Sequence, residues 1–465
     1  MNSRLILLCL TACIALSVCN RVYVHPFHLF AYNQSTCEKL ERENQTTSEE
    51  KIFIPILIDS KNTAEEEGLR DRFSLESQSL GPKGHQRLLY LTKLVNILGF
   101  RFFGAWKEMH KMETVLLSPT NLYGALVSFY LGASKNTSDD LQEFLGFPSG
   151  GSNCTSKLDG HIVFSSLKAI DSLLLSKEDN IDASKLAFLF VTPGMHLSGA
   201  YVYDLVPSAD ALYVRAVGFS DPAQATEKIN SFFNGRISRK GRPLLTSVDP
   251  STTLMYASYM HFKGKVKNAY PVADPQDFWV DNSRKISVPM MSVTGTFQFK
   301  HDDRQNLFVI RVPLSENDFL LLVQPTHGKT LEQIESTLSA NSYASLFENL
   351  RSRSVHLTLP KLAIENTYDV QDILANMKLP TLIGKKADLS RISNADIRVG
   401  KIMNKVYFEL EDSGVVTEEP KNPPREDVRM RLTIKLQHPF LLAVYEGSSK
   451  ALLFLASVRN PVGDV

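Results

Sequence analysis

The chain has 465 residues, 43% of them hydrophobic, and balances 51 Lys and Arg against 50 Asp and Glu for a formal net charge of +1. That balance excludes a global field drawing it to nucleic acid or an anionic membrane, and the apolar share is ample for a large buried core. Partners have to be sought in local features.

Residues 1–19 open on a basic Arg4, run apolar from Leu5 to Leu16 and close on the small residues Ser17 and Cys19. This is the pattern of a secretory signal peptide, predicted to be cut between Cys19 and Asn20. A lipidated Cys19 is the competing reading, although Val18 is larger than the residue usually tolerated before such a cysteine. The run is too short for a bilayer, and no later run reads as the ~20 apolar residues of a spanning helix. The mature chain is expected to be secreted, soluble and extracellular.

Cys9, Cys13 and Cys19 leave with the signal, so Cys37 and Cys154 remain in an oxidising compartment and one disulfide is the economical expectation. Sequons at Asn33, Asn44, Asn136 and Asn153 agree with that compartment. From Asn20 to about Gln86 the sequence reads as an arm without sustained periodicity, with acidic stretches at 38–51 and 65–71 and the break Gly81-Pro82-Lys83-Gly84. Its first residues, Val22, Tyr23, Val24 and His25, alternate like an edge strand that Pro26 ends.

At Leu88 the pattern changes. Leu91, Leu94, Val95, Leu98, Phe102 and Trp106 recur at three- and four-residue steps, which predicts an amphipathic helix and the start of the globular body. Further helices are predicted at 122–131, at 139–145 behind the polar Asn136-Thr137-Ser138, at 330–338 and at 370–377. Strands are predicted at 253–262, 319–323, 355–359, 440–445 and 451–458, with 446–450 as the turn joining the last two. The fold class is mixed α and β.

Residues 359–370 and 386–393, the stretch from His438-Pro-Phe to Asn460-Pro461, Thr252-Thr-Leu, Phe262-Lys-Gly, Val288-Pro-Met-Met and Ser118-Pro119 resemble, in order, motifs of the serpin family. Ala456 stands where that family usually has Gly. The resemblance covers about 88–461 and implies a serpin fold of three β-sheets and about nine helices, preceded by an N-terminal arm. The division expected is a signal peptide (1–19), a releasable decapeptide (20–29), an arm with disulfide and glycans (30–87) and the serpin body (88–465).

Asn20-Arg-Val-Tyr-Val-His-Pro-Phe-His-Leu29 is similar to a hormone segment carried by a non-inhibitory member of that family, with Asn20 for Asp and Val24 for Ile. The resemblance implies cleavage between Leu29 and Phe30 by an aspartic protease, whose dyad acts on an extended strand held across its cleft. Residues 25–32 are expected to fill that cleft from an exposed arm, where proteases act most readily. A zinc dipeptidyl carboxypeptidase then cuts between Phe27 and His28, and octapeptide 20–27 acts on a seven-helix receptor. Arg21 would offer bidentate pairing there, Tyr23 and Phe27 aromatic anchors, and His25 a ring titrating near neutrality. A Cys37–Cys154 bond would hold Leu29 within about 28 Å of the body, at ~3.5 Å per extended residue.

An inhibitory serpin buries alternate residues of its cleaved reactive loop in the central sheet. Aligned by Gly414, the hinge here reads Val415-Val-Thr-Glu-Glu-Pro-Lys-Asn. One parity buries Val415, Thr417, Glu419 and Lys421; the other buries Val416, Glu418, Pro420 and Asn422. Either places a carboxylate inside, at a cost of several kcal/mol, and Pro420 removes a ladder donor. The body is therefore expected not to inhibit proteases, although a secreted serine protease inhibitor is the alternative. Arg236, Arg239, Lys240 and Arg242 form a basic cluster, read as a solvated turn with heparin-like binding as the lesser option. No HExxH, GxSxG, Walker loop or GxGxxG occurs, so no catalytic residue, metal or cofactor is expected.

Overall fold

The computed structural model describes residues 26–45, 51–58, 68–70, 81–148, 153–174, 180–238, 241–281, 283–326, 328–379, 382–384, 387–414 and 431–463. The signal segment, Asn20 to His25 and the hinge residues Val415, Thr417, Glu419 and Pro420 lie outside the described residues.

One six-stranded sheet runs Leu362–Asp369, Val399–Asp412, Leu254–Val266, Ile181–Val191, Ala211–Ala216 and Ile56–Leu57 from edge to edge. Its long central strands, Val399–Asp412 and Leu254–Val266, pair directly and in parallel from Ile402 opposite Tyr256 to Asp412 opposite Val266. Strand alternation sorts their side chains between two cores. Ile402, Val406, Phe408 and Leu410 enter the main core, while Met403 and Tyr407 join Phe188, Tyr213, Phe232 and Phe233 in a second one under helix Pro222–Asn234.

The larger sheet contains Leu432–Lys435, Arg351–Pro360, Met290–Asp302, Leu307–Pro313, Asp318–Pro325, Phe440–Glu446, Leu452–Val458 and Val115–Leu117. Two of the expected sheets are continuous here because the long strand Met290–Asp302 pairs with Arg351–Pro360 over most of its length and with Leu307–Pro313 at its far end. Nine α-helices, from Pro82–Met109 to Val370–Asn376, surround the sheets among the described residues.

The predicted helix beginning near Leu88 is Pro82–Met109, with Leu88, Leu91, Val95, Leu98, Phe102 and Trp106 buried. By length and composition it could span a bilayer, which the sequence reading missed; its apolar face packs in the core instead. The helix placed at 139–145 is Lys135–Phe144, so Asn136-Thr137-Ser138 form its first turn rather than precede it. Thr137 and Ser138 are buried there, and Thr137 Oγ1 accepts a hydrogen bond from the Asp388 amide at 2.9 Å. The terminal hairpin has its predicted turn: the buried Glu446 carboxylate accepts from the amides and hydroxyls of Ser448 and Ser449.

The arm departs most from expectation. Gln34–Gln45 is an α-helix, Ile52–Phe53 pairs with Leu197–Ser198, and Ile56–Leu57 adds a strand to the six-stranded sheet. The physical reason is tertiary: a short polar segment without an apolar stripe gains order from a docking surface on the body and a crosslink to it.

Candidate functional site: the docked segment 26–32

Pro26–Leu29 forms one turn of 3-10 helix. Proline fixes the first φ, and the turn closes when the Phe30 and Ala31 amides donate to the Phe27 carbonyl at 2.8 and 3.0 Å. Phe27 and Phe30 then point the same way, into the body, at 8% and 0% exposure.

Their socket comes from three places in the sequence. Tyr90 projects from helix Pro82–Met109, with its ring centroid 6.2 Å from that of Phe30. Phe147 lies 5.3 Å from Phe30 and 6.3 Å from Phe27. It is aimed there because Gly146 leaves helix Lys135–Phe144 at φ +91°, a left-handed conformation that costs glycine little, and the Phe147 amide donates back to the Gln142 carbonyl at 3.0 Å.

The third wall is the segment around Cys154, shaped by buried Gln142. Its amide nitrogen donates to the Pro148 and Ser156 carbonyls at 2.8 and 3.0 Å, and its oxygen accepts from the Leu158 amide at 3.0 Å. Ala31 bridges antiparallel to Leu158, and the Tyr32 amide donates to the Lys157 carbonyl at 3.3 Å. Asp159 serves twice: its side chain accepts from the His161 and Ile162 amides at the start of helix Gly160–Leu174, and its own amide donates to the Phe30 carbonyl at 2.7 Å. Burial, reinforced by the Asp159 charge, pushes the Tyr32 hydroxyl up to about 12, so Tyr32 stays a neutral part of this wall at physiological pH. His161 is held above its ordinary value by its hydrogen bond to Asp204, 3.2 Å away.

Cys37 and Cys154 are bonded, with Cα atoms 5.6 Å apart and a sequence separation of 117. Cys37 sits in helix Gln34–Gln45, where Asn33 Oδ1 accepts from the Thr36 amide at 2.8 Å as an N-cap does.

Two expectations are thereby corrected. The junction Leu29–Phe30 is not exposed: Leu29 is half-buried and packs on the core, Phe30 is fully buried, and only His28 of the turn faces solvent. Nor is 26–29 extended, as a protease cleft needs. Two aromatic side chains spaced three apart can share one face of a turn, and burying each stabilises docking by about 1.5–3 kcal/mol, more than a short exposed strand gains.

Asn33, Asn136 and Asn153 are exposed, while Asn44 lies in a helix and its side chain is outside the described residues. Gly414 has φ +69°. Of the basic cluster, Arg236 is half-buried and Arg242 is exposed. Arg236 stacks 4.7 Å over Phe232, and the Arg242 backbone joins a buried ion pair, donating to Glu365 at 3.0 Å and accepting from Lys405 at 2.6 Å. Arg239 and Lys240 lie outside the described residues. Sequence reasoning missed Tyr90, Phe147, Asp159 and Arg87, whose Nε donates to the Leu29 carbonyl; no local pattern marks them, because they meet only in the folded body. Among the described residues no three His, Cys, Asp or Glu side chains gather as a metal site needs.

The serpin (serine protease inhibitor) family profile matches residues 93–461. The chain is 40% identical to angiotensinogen of Bos taurus, over 98% of this chain and 97% of that one. It is 37% identical to angiotensinogen of Homo sapiens, over 99% and 98%. In fold it is similar to uncleaved ovalbumin, at a TM-score of 0.69 and 21% identity, with 80% of this chain and 100% of that chain covered. The chain belongs to the serpin family and, within it, to the angiotensinogens.

Proposed function

We propose that this chain is secreted into plasma and cut by the aspartic protease renin between Leu29 and Phe30, releasing decapeptide 20–29. As a member of the angiotensinogens it is a precursor of the angiotensin peptides. Angiotensin-converting enzyme then cuts between Phe27 and His28. The octapeptide 20–27 acts on a G-protein-coupled angiotensin receptor as a vasoconstrictor regulating blood pressure and salt balance, with Arg21, Tyr23, His25 and Phe27 as its contacts. The body is a carrier rather than an enzyme, with glycans at Asn33, Asn44, Asn136 and Asn153.

The observation that carries this reading is the sequence Asn20 to Leu29 at the start of the mature chain, in a protein akin to angiotensinogens over nearly its whole length. The docked geometry adds a step. An aspartic protease reads an extended strand, so the turn at Pro26–Leu29 has to open and Phe27 and Phe30 have to leave their socket before the bond reaches the dyad. Incubation with renin and mass analysis tests the reading: a product ending at Leu29 is expected, and an intact chain or a cut elsewhere would end it.

A second reading, a secreted serine protease inhibitor, has the family description behind it. The charged, proline-containing hinge after Gly414 speaks against it, because those side chains cannot enter the sheet cheaply.

A further inference from the structure

The bonds that hold the cleavage junction differ in origin. Phe30 and Ala31 bond back to Phe27, and Tyr32 and Phe30 bond to the backbone of Lys157 and Asp159, all main chain to main chain. The Leu29 carbonyl is held by a side chain: Arg87, near the start of helix Pro82–Met109, donates from Nε at 2.7 Å across 58 residues of sequence. Arg87 lies outside residues 25–32, so it can be changed without altering the peptide a protease reads.

From this geometry we infer that Arg87 is a positioning residue for release, a latch on the scissile carbonyl that sets how often the junction is available for cutting. The inference rests on the reading of Leu29–Phe30 as the cut. Hydrolysis adds water to the Leu29 carbonyl carbon, and the dyad must donate to the carbonyl oxygen as the tetrahedral centre forms. That oxygen is the one Arg87 occupies. The bond is charge-assisted and the guanidinium is half-buried, so it is stronger than a neutral surface contact. Breaking it is part of the opening that must precede binding, and the apparent affinity of the protease falls by the fraction of chains that are open. After opening, the strand in the cleft is the same whatever residue stands at 87. The latch therefore acts on KM and leaves kcat alone.

The test compares renin cleavage of the full chain, R87A, R87K and a synthetic peptide of residues 20–35. R87A is expected to raise kcat/KM about tenfold through KM, as loss of one charge-assisted hydrogen bond implies, toward the value of the peptide. R87K, which keeps a cationic donor, is expected to stay within about threefold of the parent chain. Hydrogen exchange at the Phe30 and Ala31 amides, read without protease, is expected to quicken in R87A by a similar factor. An R87A chain with unchanged kcat/KM and unchanged exchange overturns the latch. A change in kcat alone, or an equal gain in R87K, also overturns it. A peptide not cut after Leu29 defeats the underlying reading instead, so the two failures are distinguishable.

Discussion

The middle of the six-stranded sheet and the docked segment 26–45 are both held to the same body, by different means. In the sheet, Leu254–Val266 and Val399–Asp412 share a continuous ladder, and buried Asn121 donates to Asn404 at 3.0 Å and to Ser258 at 3.3 Å, tying helix Pro119–Gly132 to both strands. On the other face Lys405, fully buried, donates to Glu365 at 2.7 Å and to the Arg242 carbonyl, clamping the segment after helix Pro222–Asn234 onto the sheet. Burial pushes the Lys405 ammonium down, and the ion pair with Glu365 opposes that shift. The docked segment has one 3-10 turn, the α-helix Gln34–Gln45, the buried rings of Phe27 and Phe30, a few hydrogen bonds and a disulfide. The comparison teaches that exposure and releasability are separate: a buried segment held by few local contacts opens far more often than a buried ladder.

The sharpest way to break that contrast is at the clamp. Glu365→Ala leaves Lys405 buried without its counter-charge, so stability to urea should fall by about 3–5 kcal/mol, and adding Lys405→Met should restore most of it. A loss below about 1 kcal/mol would place the sheet's security in its ladder alone.

A smaller effect is expected at the tether. In the chain-entropy picture, a crosslink closing so long a loop contributes about 4–5 kcal/mol, but part of the arm is already docked, so Cys37→Ser with Cys154→Ser should cost about half of that. The change should appear as faster exchange in 26–45 and altered renin kinetics, with the sheet unaffected. Identical kinetics in the parent and double variant would show that the crosslink has no part in presentation.

The smallest expected effect is none. Cleavage of the chain within 418–428 by a serine protease should give neither a trapped covalent complex nor a large rise in Tm, since either parity of the hinge buries a carboxylate. A rise of more than about 10 °C would mean that the central strands separate to admit the loop, and that the ladder is less secure than its pairing implies.

Much of the body is legible in the sequence. The steps Leu88, Leu91, Val95, Leu98, Phe102 place a helix, and the apolar runs at 440–445 and 451–458 place a hairpin, because periodicity and turn chemistry act within a few residues. Residues 20–29 are legible for a different reason: their resemblance to a hormone segment lies in a contiguous run of side chains, so reading it needs no fold. The cysteine count likewise leads to the Cys37–Cys154 bond, since only two lie outside the expected signal segment.

What the tertiary structure alone decided is whether that peptide is in reach. Arg87, Tyr90, Phe147 and Asp159 come from separate elements, and none carries a local mark of its role. The sequence by itself determined the likeness carried by 20–29 and the scaffold; burial of Phe27 and Phe30 is a property of the surface they land on. That surface is assembled from long-range contacts, whose energies no window of neighbouring residues contains.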